Sequence, residues 1–170
     1  MFRALHDGNQ GTRMDSEIIK GIRRSIMLVG VFAAAFVLMY AGVVILTKFL
    51  YIYFRGFIPD FSETLLRAVF YGLSAASIAA AVAISKARYA HDKLRARASD
   101  AEVLLRHLLI TPVITMAFAE AVLIFGFFLF FLSAMYVDFF IHAAIAIVLI
   151  AWSIPSESRL ESILMDAVEK

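Results

Sequence analysis

Between Leu108 and Leu132 a single residue carries charge, Glu120, and every other position is apolar, small or hydroxyl-bearing. Three further runs, about residues 25–48, 65–85 and 136–153, are nearly as apolar. Each reaches the roughly 18 residues that allow a helix to cross a bilayer. Lipid offers no partner to a peptide N–H or C=O, so a chain with such runs must bond its backbone within each segment. No strand-like alternation marks these runs, so helices are expected. With 62% hydrophobic residues, against about half in soluble domains, the expected fold is an all-α integral membrane protein. It has four transmembrane helices, read as one membrane domain over residues 1–170.

The same composition excludes several functions. There is no cysteine, which removes disulfides, thiolate nucleophiles and cysteine metal sites. No Gly-rich phosphate loop, His-x-x-x-His pair or serine beside a base is present, so no catalytic residue, metal ligand or cofactor is assigned. His91 and His107 are too far apart in sequence to form a metal motif. The charged stretch from Lys86 to His107 holds six Lys/Arg and three Asp/Glu. Tyr89 is its only aromatic, and it reads as a solvated helical hairpin between the second and third spans rather than as a nucleic-acid surface.

Taken in order, the first residues to about Arg24 are polar, with a short helix capped at Asp15 or Ser16 and bearing Ile18, Ile19 and Ile22 on one side. Arg23-Arg24 ahead of an apolar run matches the opening of an export signal. That run is too long and lacks a small-residue cleavage site, so an uncleaved anchor is expected. Lys48 snorkels at the end of the first span, and the aromatic connector from Phe49 to Phe61 suits the membrane–water interface. The second span carries small residues four apart, Gly72, Ala76 and Ala80, and also Ala75, Ala79 and Ala83, a spacing that lets helices pack closely in lipid. Ser74 and Ser77 are its polar groups. The second helix is expected to run on into water as far as about Arg97, and Ser99-Asp-Ala-Glu102 reads as a capping box for the third. Pro112 predicts a mild kink near Leu108. A tight connection, Ser133–Asp138, leads to a fourth span with His142 a turn inside and Trp152 at its far end. After Pro155, Ser158-Arg-Leu-Glu161 is a second capping box. Leu160, Ile163, Leu164, Ala167 and Val168 give the tail, 156–170, an apolar face for the membrane or a partner.

Positively charged residues stay cytoplasmic. Five lie before the first span, two in the first loop, six in the middle loop, none in the third and two in the tail. This count predicts cytoplasmic N- and C-termini and fits a bacterial inner membrane. The partners are the lipid bilayer and a homo- or hetero-oligomeric membrane complex.

Glu120 sets the chemistry. A charged side chain at mid-depth costs at least a few kcal/mol, roughly, so such residues are paired, neutralised or used. Loss of water disfavours the carboxylate, and no Lys or Arg is expected at its depth, so the carboxyl is expected to rest protonated. It would ionise when a partner brings water or an arginine. Sodium needs several oxygen ligands. Ser74, Ser77 and Thr115, the possible neighbours, are too few, which favours the proton.

Ala117-Phe-Ala-Glu-Ala-Val-Leu-Ile-Phe-Gly126 resembles the ion-binding helix of the proteolipid c subunit of rotary (F/V-type) ATP synthases. Both have small residues before the carboxylate, Glu-Ala at it, and an Ile-aromatic-Gly step after it. The small-residue helix and polar loop ahead of it resemble that family's hairpin, so the likeness covers about residues 65–132. It implies a proton-binding rotor-type subunit, with Glu120 as the ion-binding group and Gly72, Ala76, Ala80 and Gly126 as packing positions. The chain departs from the family in keeping only Gly72 of the glycine repeat, in its longer loop without Arg-Gln-Pro, and in its first and fourth spans. Two alternatives stand beside this reading. One is an accessory or scaffold subunit in which Glu120 is an interhelical hydrogen-bonding group. The other is a small transporter with Glu120 and His142 along a path.

Overall fold

The computed structural model of the chain describes residues 11–90, 94 and 101–168. Among these it is all-helical: α1 (Gly11–Leu50), α2 (Glu63–Arg88), α3 (Ala101–Ser133), α4 (Tyr136–Ser153) and α5 (Glu157–Val168). The first four are long and apolar enough to cross a membrane. The residues that join α2 to α3, including the Ser99 capping position, lie outside the described residues except for Leu94.

α3 is the spine. Its span is 44% buried, against 22% for α1 and 17% for α2, because three helices pack around it. Ala119, Val122, Leu123 and Phe130 of α3 meet Ala143, Ala146 and Ile150 of α4, and Ala33, Val37 and Val44 of α1. Outward-facing residues of α1 such as Val31, Phe32 and Leu38 remain exposed, as a lipid-facing surface requires. In lipid the hydrophobic effect does not drive helix association, so close packing and polar bonds must hold the bundle.

α1 is one continuous helix of 40 residues, roughly 60 Å long at 1.5 Å per residue. The short amphipathic helix expected near the N-terminus is therefore its first part. Ile19, Ile22 and Ile26 form a buried stripe that packs with Met116 of α3 and Leu160 of α5, so no break separates it from the span. α2 stops at Arg88, short of Arg97. Tyr89 N–H closes on Ser85 O, and the Arg88 carbonyl accepts from His107 Nε2 at 2.9 Å. α3 continues through Pro112. α5 is capped two residues earlier than expected, at Ser156, whose Oγ accepts from Arg159 N–H at 3.3 Å.

The aromatic connector is tied down at its centre. Phe57 N–H and Ile58 N–H donate to Phe131 O and Leu132 O, both at 2.9 Å, satisfying carbonyls that the end of α3 leaves open. Gly56 immediately precedes these contacts, at φ +87°, where a Cβ would collide with the Leu132 carbonyl. Glycine alone meets both demands.

Candidate functional site

Glu120 lies in the middle of the α3 span, which runs from Val103 to Ser133. Positions four and seven apart share a helix face, so Met116, Glu120, Leu123 and Phe127 form one stripe. Met116 packs with the Ile22 and Ile26 side chains of α1. The Phe127 ring meets the Tyr40 ring of α1 edge-on, centroids 4.6 Å apart. The stripe therefore follows the seam between α1 and α3, and Glu120 sits in it half-buried. Its Oε1 is buried and has no hydrogen-bond partner. None of the ion pairs among the described residues includes it.

None of the expected neighbours is hydrogen-bonded to Glu120. Thr115 is five residues earlier, turned about 140° around the helix, and donates to Pro112 O at 2.8 Å. Ser74 is buried in α2 and donates to Phe70 O at 2.8 Å, the self-satisfied state usual for a helical serine. Ser77 is half-buried on α2. Gly72 and Ala76 are exposed and Ala80 is half-buried; a Cβ added at Gly72 would meet nothing within 4 Å. The buried face of α2 is formed instead by Leu66, Ser74, Ala81 and Ser85. Gly126 is tightly packed: a Cβ there would lie 2.5 Å from His142 Cβ, so α3 and α4 approach closely where the imidazole stands.

His142 belongs to a polar cluster that the sequence reading did not assemble. Asp138, in the first turn of α4 and buried, receives Arg67 Nε at 3.1 and 3.2 Å and Nη2 at 3.0 Å. Tyr71 Oη donates to its Oδ1 at 3.0 Å. One turn deeper, His142 Nδ1 lies 2.7 Å from Asp138 O. A carbonyl can only accept, so Nδ1 carries a proton and donates it. Nε2 is buried without a partner, and the Tyr71 ring meets the imidazole edge-on at 4.6 Å. The signal was present in the sequence: one base and one acid, each in the first turns of a span that starts from the same side of the membrane.

α2 carries a second arginine cluster at its other end. Arg88 Nε donates to Thr111 Oγ1 at 2.8 Å and Nη2 to His107 Nδ1 at 3.0 Å, while Thr111 Oγ1 donates to His107 O at 2.8 Å. His107 and Thr111 are buried, so this edge of the charged stretch is part of the bundle and not a solvated surface. Among the described residues no group of His, Asp and Glu could hold a metal ion.

Neither protein-family models, nor curated proteins, nor solved structures match this chain.

Proposed function

We propose that this chain is a proton-binding membrane subunit whose working group is the Glu120 carboxyl. One observation carries the reading: Glu120 Oε1 is buried at mid-span with no partner, whereas Asp138 is fully engaged by Arg67 and Tyr71. A structural latch uses its hydrogen bonds; a group that loads and unloads a proton keeps them available. In the apolar α1–α3 seam the neutral acid is the tolerated form, and ionisation requires water or a cation from outside the chain. The resemblance of residues 117–126 to the rotor proteolipid of ATP synthases supports the same role.

The accessory-subunit reading draws on one feature, the half-exposure of Glu120, which leaves room for a donor on another chain's helix. Labelling with a lipid-soluble carbodiimide, which reacts with protonated carboxyls in apolar surroundings, separates the two. Proton binding predicts a single adduct at Glu120 near pH 7, lost in Glu120→Gln, with native mass spectrometry showing unchanged assembly in that variant. Absence of the adduct, together with dissociation of the complex in Glu120→Leu but not Glu120→Gln, would identify an interface hydrogen bond instead.

A further inference from the structure

A groove of about 330 Å³ lies along α1 on the side where α5 docks. Its head is lined by Lys20, Arg23, Arg24 and Glu157, its floor by Met27, Leu28 and Val31. From Lys20 to Val31 the helix rises roughly 16 Å, about half of a bilayer's ~30 Å hydrocarbon core. Three cations thus stand at the head, and the apolar floor from Met27 to Val31 continues for roughly 6 Å below them. The floor residues are about half exposed.

Arg23 ties the head of the groove to α5. Its Nη1 donates to Glu157 Oε1 at 2.6 Å, and its Nε is buried away from the groove. The side chain is 39% exposed, and this exposed part adds to the positive charge that a phosphate would meet there. Lys20 and Arg24 are exposed beside it, and Glu157 is the one opposing charge in the lining.

We propose that this groove binds an anionic phospholipid. The phosphate sits between the exposed Lys20 and Arg24 beside Arg23, and an acyl chain lies along Met27, Leu28 and Val31. Polybasic segments at an anionic membrane surface gain about fivefold in affinity per Lys or Arg. Removing two cations should therefore weaken binding about thirtyfold.

The test is native mass spectrometry of the full chain released from nanodiscs of equal phosphatidylglycerol and phosphatidylcholine. The expected result is selective retention of phosphatidylglycerol. That retention should be lost in Lys20→Gln/Arg24→Gln and unchanged in Lys48→Gln, which removes a cation at the other end of α1. Equal retention of the two lipids would overturn the proposal, as would full retention by the double variant. Displacement of the lipid by millimolar inorganic phosphate would also overturn it, since the apolar floor would then contribute nothing.

Discussion

At the scale of single residues, the contact between Gly126 and His142 is the tightest made by a glycine within the described helices. A methyl group on Gly126 would fall 2.5 Å from His142 Cβ and 2.9 Å from its Cγ. The imidazole is fully buried and held by the Asp138 carbonyl, so it cannot swing away. Gly126→Ala is expected to destabilise the protein by about 1–3 kcal/mol, the usual cost of overpacking a core, measured by thermal unfolding in detergent. Adding His142→Ala to that variant should recover part of the loss; no loss in Gly126→Ala would mean that the two helices are farther apart. The depth of Glu120 could be read from the sequence, because one charge in a long apolar run fixes its distance from both ends. The face it occupies could not. α3 is apolar on every side, so periodicity does not distinguish the seam with α1 from the lipid surface.

Among the helices, α2 is bonded at both ends to its neighbours through arginines, to α4 by Arg67 and to α3 by Arg88. Asp138 is the buried partner of the first pair, while Arg67 is half exposed. Removing either leaves the other a single remaining partner: Asp138 keeps Tyr71 at 3.0 Å, and Arg67 keeps Glu63 at 3.7 Å. Asp138→Asn and Arg67→Gln are each expected to lower the melting temperature, the acid's loss and the base's loss overlapping, so that the double variant loses less than the sum. Strict additivity in that cycle would show that the pair contributes no coupling. The small-residue spacing of α2 illustrates why the face buried within the chain could not be picked out. Gly72, Ala76 and Ala80 have the right interval, but small residues also occupy the flank with Ser74, Ala81 and Ser85. Spacing alone does not choose between them. The four spans themselves were legible because lipid admits few alternatives to a helix. The merging of the N-terminal segment into α1 depended on contacts from Met116 and Leu160, which are remote in sequence.

For the molecule as a whole, the distribution of polar bonds divides the bundle. Among the described residues, α2, α3 and α4 are cross-linked by the two arginine clusters. Among the described residues α1 is tied by charge at two points, through Arg23 to Glu157 and through Lys48 over the Tyr136 ring at 5.4 Å. Between those points it is held by apolar packing, which is non-directional. The chain has no cysteine, so introduced cysteine pairs can report on individual seams. In rising concentrations of sodium dodecyl sulfate, a disulfide pair across the middle of α1 and α3 should stop forming before a pair across α2 and α3. The reverse order would contradict this division. Mechanically, α1 resembles a string fixed at two points against a rigid frame, free to bow between them. Glu120 lies in the seam between those two ties, where an outward bow of α1 would open it most.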